Sequence, residues 1–131
     1  MEQPGEFTLS LPARSENLST VRHAVSAFAA SLGVDDDTIA NLRLAVNEAC
    51  SNVVRHAYDG NPGAMKVAAR PMGRYLLVVV EDRGQGLAKA SSDPGAGLGL
   101  RVASAVSSSF EVRQTVGGTE VRLVFPLKNV A

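Results

Sequence analysis

The chain has 131 residues, 45% of them hydrophobic and 20% charged, with 13 Lys and Arg balanced by 13 Asp and Glu. That length suits a single domain over 1–131 with one core, and a zero net charge without a basic cluster argues against nucleic acid as a direct partner. One cysteine excludes an internal disulfide, no apolar run nears the roughly 20 residues of a membrane span, and the opening "MEQPGEF" lacks the basic and apolar regions of a signal peptide, so a cytoplasmic domain with no membrane partner is expected.

In "FTLSL" the residues Phe7, Leu9 and Leu11 alternate onto one face ahead of Pro12, which predicts a first strand with one buried side. A helix follows in "SENLSTVRHAVSAFAASLG", where Leu18, Val21, Val25, Phe28 and Leu32 step by three and four and Gly33 is placed for a left-handed C-terminal cap. A second helix opens at "DDDTIA", with Asp36 or Asp37 expected as N-cap and the extra acidic charge favourable at the helix's positive end. From Lys66 the texture changes. "KVAAR" and "RYLLVVVED", separated by Pro71 to Gly73, read as a hairpin whose second strand is apolar enough to be central in its sheet. A glycine-rich segment, "RGQGLAKASSDPGAGLGL", leads to a third helix, "LRVASAVSSS", and then to two strands, "FEVRQTV" and "TEVRLVFPL", joined by Gly117 and Gly118. The order predicts an α+β fold, a two-layer α/β sandwich with helices on one face of a mixed, mostly antiparallel sheet.

At 100° per residue, Ile39, Leu42, Val46, Ala49, Val53 and Ala57 gather as the core face of the second helix. Glu48 and Asn52 lie about 40° apart on the helix projection, away from that stripe, with only small Ala45 nearby. Taken alone they read as solvated side chains, and His56, one turn further on, as a surface or capping residue whose charge suits the helix end. Two other segments suggest that a ligand meets this face. Asp82 ends a strand and is followed by Arg83, Gly84, Gln85 and Gly86, a rigidly held carboxylate able to accept a hydrogen bond from an amino group such as that of adenine while two glycines let the backbone pass a flat ring. Gly95, Gly97 and Gly99 then lead into the third helix, whose unpaired N–H groups suit a di- or triphosphate.

On these residues the chain resembles the GHKL (Bergerat-fold, histidine-kinase-like) ATPases: "NEACSNVVRHAYDG" is similar to their N-box, "VVVEDRGQG" to the first glycine box and "GAGLGLRV" to the second. Within that superfamily it is most similar to the small anti-sigma-factor serine/threonine-protein kinases, whose N-box also ends in His-Ala-Tyr. The resemblance implies the Bergerat ATP-binding fold, with ATP and Mg²⁺ as cofactors, Glu48 as general base and Asn52 as magnesium ligand. It further implies that Asp82 binds adenine with Thr119, that Gly84 and Gly86 pass the base, that Gly97, Leu98, Gly99 and Leu100 wrap the phosphates, and that His56 belongs to the same nucleotide-binding set.

The implied activity is transfer of the γ-phosphoryl group of ATP to a serine or threonine of an anti-sigma-factor antagonist, together with sequestration of a sigma factor. A homodimer is expected, with the N-terminal strand and first helix contributing. A catalytically silent ATP-binding interaction module is the alternative, since binding and catalysis use one pocket. Arg83, Lys89 and Arg101 are all open as the basic phosphate partner, and each reads equally as a surface charge. A detached histidine-kinase ATPase domain ranks lower because the chain has no room for a phosphoacceptor hairpin, and His23 on the first helix reads as a surface residue. The stretch Leu87 to Gly95 is expected to be a mobile lid that orders on nucleotide.

Overall fold

The computed structural model describes residues 5–58, 63–84 and 97–127. Among them the chain forms β1 (Phe7–Pro12), a 3₁₀ turn at Ser15–Asn17, α1 (Leu18–Ser31), α2 (Asp36–His56), β2 (Ala64–Met72), β3 (Tyr75–Asp82), α3 (Gly97–Val106), β4 (Ser109–Thr115) and β5 (Gly118–Pro126). The sheet order is β1-β2-β3-β5-β4, which puts the apolar β3 in the middle as expected. The sequence suggested a mixed sheet; all four ladders are antiparallel. The crossover through α3 does make β4 run parallel to β3, but β5 folds back by a hairpin into the gap between them, so the two parallel strands never pair.

Period-two alternation sets which side of the sheet is dry. Met65, Val67 and Ala69 of β2, Leu76, Val78 and Val80 of β3, and Val121, Leu123 and Phe125 of β5 are buried in one cluster with Val21, Val25 and Ala29 of α1 and Leu42, Val46, Ala49 and Val53 of α2. Phe7 of β1 stacks on Phe28 of α1 with ring centroids 5.4 Å apart. Helix α2 is the hub of the layer, packed on α1 and α3 and lying over β3 and β5. Cys50 lies in this core, where burial pushes its thiol up to about 12 and so removes the reactive thiolate.

Local boundaries follow from caps and turns. Gly33 takes φ +85° behind α1, as its position predicted. The N-cap of α2 is Asp35, one residue ahead of the expected Asp36 or Asp37: its Oδ1 accepts the Thr38 N–H at 2.8 Å. A carboxylate there satisfies an otherwise unpartnered amide, and Asp36 and Asp37 supply the acidic first turn. Strand β2 runs on through Pro71, because β1 stops pairing at Phe7↔Ala69 and asks for no N–H beyond that point. Helix α3 begins at Gly97 and ends at Val106, three residues ahead of the expected Leu100 to Ser109. Gly97 to Leu100 are therefore its first turn, where unpartnered amides make glycine inexpensive, while Ser109 joins β4. No helix among the described residues is long and apolar enough to cross a membrane.

Candidate functional site

The register of the central strands builds one end of the site. Asp82, the last residue of β3, is paired directly with Thr119 of β5. Both keep the phase of Val80 and Val121, so both face the helices; they are 5% and 4% exposed. Burial pushes the Asp82 carboxyl above its ordinary value of 3.8, and the Gly84 N–H, which donates to its Oδ1 at 2.9 Å, partly offsets that by favouring the charged form. Beside it the hydroxyl of Thr119 is buried without a hydrogen-bond partner among the described residues. An orphaned buried hydroxyl costs free energy unless something with donors or acceptors enters the niche. A planar base bearing an amino group fits this pair: it donates to the carboxylate and engages the hydroxyl.

Helix α2 forms the wall. Asn52 and His56 are each 7% exposed, so neither is the solvated or capping side chain that it reads as when taken alone. Helix α3 packs on α2 and meets the Glu48 side of this face, a tertiary contact that helical periodicity alone does not reveal. Glu48 is half-buried. A Cβ on Gly99 would lie 2.7 Å from its Oε1, which puts the Glu48 carboxylate against the first turn of α3. Leu100 is buried there and Leu98 is 63% exposed.

The two ends meet along α2. At the far end, a Cβ on Gly84 would collide with the backbone carbonyl of Ala57, so the turn after Asp82 lies directly on the helix terminus. From Glu48 to Ala57 the helix rises about 13 Å at 1.5 Å per residue. The site is thus elongated, with Glu48 beside Gly99 at one end, Asn52 and His56 between, and Gly84, Asp82 and Thr119 at the other. Of the predicted residues, Gly86 and Lys89 and the expected lid from Leu87 to Gly95 lie outside the described residues. Arg83 and Arg101 are exposed, and so is His23, in line with a surface role.

The sequence reading gave no role in the site to Tyr58 or Gly63, and gave Gly118 only a place in the turn between the last two strands. Tyr58 donates to the Ala64 carbonyl at 2.5 Å and accepts the Arg83 N–H at 2.9 Å. A Cβ on Gly63 would enter its ring, and one on Gly118 would collide with the Asp82 carbonyl. A tyrosine immediately past a helix end and ahead of glycines was the available signal, and it is a weak one.

Residues 11–125 match the family model described as a histidine kinase-like ATPase domain. The chain is 39% identical over 85 residues to the serine-protein kinase RsbW of Halalkalibacterium halodurans, an alignment covering 65% of this chain and 52% of that protein. Against the anti-sigma F factor of Thermoanaerobacter sp. (strain X514) it is 30% identical over 135 residues, covering 94% of each. Among solved structures, that of the RsbU and RsbW domains of Rv1364c from Mycobacterium tuberculosis superposes with a TM-score of 0.75 at 28% identity, covering 96% of this chain and 33% of the other. The chain spans about half the length of the first of these relatives and a third of the solved one. With the motif residues lined along α2, β3 and α3, and with a family model matched over most of its length, this chain belongs to the histidine kinase-like ATPase domain family.

Proposed function

We propose that this chain is an ATP-dependent serine/threonine-protein kinase that acts as an anti-sigma factor: it phosphorylates an anti-sigma-factor antagonist and sequesters a sigma factor. The observation that carries the nucleotide part is the buried Asp82–Thr119 pair, a shielded carboxylate next to a hydroxyl that has no hydrogen-bond partner among the described residues. The names of the relatives, RsbW serine-protein kinases and anti-sigma F factors, support the protein partners. Residues 1–131 are read as one such domain, in accord with a single core joining both layers, and the regulation of transcription makes the cytoplasm its working place.

In this reading Asp82 accepts the exocyclic amino group of adenine, Thr119 assists, and Gly84 and Gly86 let the backbone pass the ring. Asn52 offers its amide oxygen to magnesium, His56 packs in the same wall, and Gly97, Leu98, Gly99 and Leu100 enclose the phosphates at the amino end of α3. Among the described residues no three His, Cys, Asp or Glu side chains group as metal ligands. The single Asn52 amide oxygen suits Mg²⁺, a hard ion that keeps several waters and takes phosphate oxygens beside one or two protein oxygens. When bound, it neutralises charge on the transferring group. Glu48 accepts the proton of the partner's hydroxyl as the new oxygen–phosphorus bond forms and the bond to ADP breaks. Positioning and charge neutralisation carry most of the rate, and the base contributes about 10²- to 10⁴-fold.

The test is Glu48→Gln with labelled ATP, Mg²⁺ and a candidate antagonist. Transfer is expected to fall by about 10²- to 10⁴-fold while ATP affinity stays within roughly twofold. Undiminished transfer removes Glu48 from the mechanism, and ATP binding by the native chain with no transfer to any antagonist leaves a nucleotide-gated binding module in place of a kinase. The homodimer belongs to the same reading; β1 is an edge strand available to a second copy, and a monomer in sedimentation at micromolar concentration would count against it.

A further inference from the structure

The ladder between β2 and β3 ends at Met65↔Asp82, so the next rung would run from the Arg83 N–H to the Ala64 carbonyl. The Tyr58 hydroxyl stands in that place. It accepts the Arg83 N–H at 2.9 Å and donates to the Ala64 carbonyl at 2.5 Å, using its one proton and a lone pair to bridge the two groups that the sheet leaves apart. The next amide, Gly84 N–H, turns back to Asp82 Oδ1 at 2.9 Å. Two successive amides are thus committed, one to Tyr58 and one to the carboxylate. The ring supports the same turn from the side, for a Cβ on Gly84 would come 3.0 Å from its Cδ1 and one on Gly63 would enter the ring.

We propose that Tyr58 is a positioning residue of the nucleotide site, whose hydroxyl replaces the last rung between β2 and β3 and so fixes the turn that aims the Asp82 carboxylate. The inference rests on the adenine-binding reading of Asp82 and assigns its selectivity to a group that need not touch the nucleotide. A plain rung would hold Arg83 flat against β2 and continue the strand. A hydroxyl in the gap spaces the strands apart and lets the chain turn sharply enough for Gly84 N–H to reach the carboxylate. Without it the Arg83 amide loses its acceptor, the turn relaxes and Asp82 is free to rotate. The effect falls on recognition of the base and spares the reacting end, about 13 Å away along α2.

The test is Tyr58→Phe, which keeps the ring between the glycines and removes only the hydroxyl. Affinity for ATP and for ITP, which carries a carbonyl where adenine has its amino group, is measured by calorimetry with Mg²⁺ on native and variant chains. The native chain is expected to prefer ATP. In the variant that preference falls by roughly three- to tenfold, all of it lost from ATP, while kcat for transfer at saturating ATP stays within about twofold and exchange of the Arg83 amide accelerates against unchanged Val78 and Val80. A structural role alone would leave the ATP to ITP ratio untouched, so an unchanged ratio, or an equal loss for both nucleotides, overturns the inference. If Y58F does not fold, Arg83→Pro removes the same hydrogen bond from its donor side with Tyr58 intact, and a retained ratio there overturns it equally. A native chain that binds no ATP sinks the proposed function and this inference together, whereas native binding with an unaltered Y58F ratio sinks this inference alone.

Discussion

Gly84 and Gly99 belong to the two glycine motifs of one site, yet they are small for different reasons. Gly84 faces backbone: a side chain there meets the Ala57 carbonyl, which is held by the end of α2 and has nowhere to go. Gly99 faces the tip of a flexible side chain, the Glu48 carboxylate, with its nearest oxygen 2.7 Å from a would-be Cβ. One end of the site is fixed by strand register and backbone contact; the other is set by helix packing and a movable carboxylate. In the proposed function the Asp82 end should therefore answer to mutation through folding, and the Glu48 end through chemistry.

Three experiments probe that difference. Gly84→Ala is expected to have the largest effect, destabilising the chain by about 2–4 kcal/mol because the backbone cannot yield, with ATP affinity falling in parallel; a variant melting within a degree or two of native would show that the turn can retreat from α2. Gly99→Ala should behave in the opposite sense. In the first turn of a helix alanine is at least as well tolerated as glycine, so thermal stability should hold or rise slightly, while phosphotransfer slows roughly tenfold as the Glu48 carboxylate is displaced by part of an ångström. Loss of stability with transfer intact would refute the placement of Glu48 against α3.

The smallest effect concerns protons. Because burial raises the Asp82 pKa, the folded chain binds a proton there more readily than the unfolded one, and acidification toward 3.8 stabilises the fold at this residue. In the proposed function adenine's amino group is accepted by the ionised form. Its binding should weaken over the same window, starting above 3.8, by less than ~10-fold per pH unit, the limit for one proton. The ratio of ATP to ITP affinity against pH isolates this from titration of the phosphates. A ratio flat down to 3.8 would mean that the carboxylate is not the base contact.

Most of the elements were legible because their signals are local. The alternation of Phe7, Leu9 and Leu11, the three-four spacing from Leu18 to Leu32 and the left-handed site at Gly33 each depend on neighbours within a few residues. The misreadings occurred where the local rule leaves a choice or a distant segment intervenes. The cap of α2 fell on Asp35 because any of three consecutive aspartates satisfies the local rule and only the backbone geometry, extended at Asp35, selects one. Helix α3 begins early because its packing on α2 outweighs the cost of two glycines in the first turn. For the proposed site, Glu48, Asn52 and Asp82 stand out by motif order and Thr119 only through the family resemblance; the structure adds that Asp82 and Thr119 pair across β3 and β5. The burial of Asn52 and His56 was not readable, since helical periodicity does not show which side of a helix the rest of the fold covers.

The residue order by itself determined the helices, the strands, the central place of β3 and the placing of a polar face, a strand-end carboxylate and a glycine-led helix in one chain. These follow from periodicity and turn chemistry, which act over a few residues. Tertiary structure alone decided that Asp82 and Thr119 stand side by side in the dry layer, that β5 separates β3 from β4, and that Tyr58 occupies the missing rung between Arg83 and Ala64. Those outcomes depend on strand register and close packing between segments up to dozens of residues apart, and no local rule encodes the register of two strands that have yet to meet.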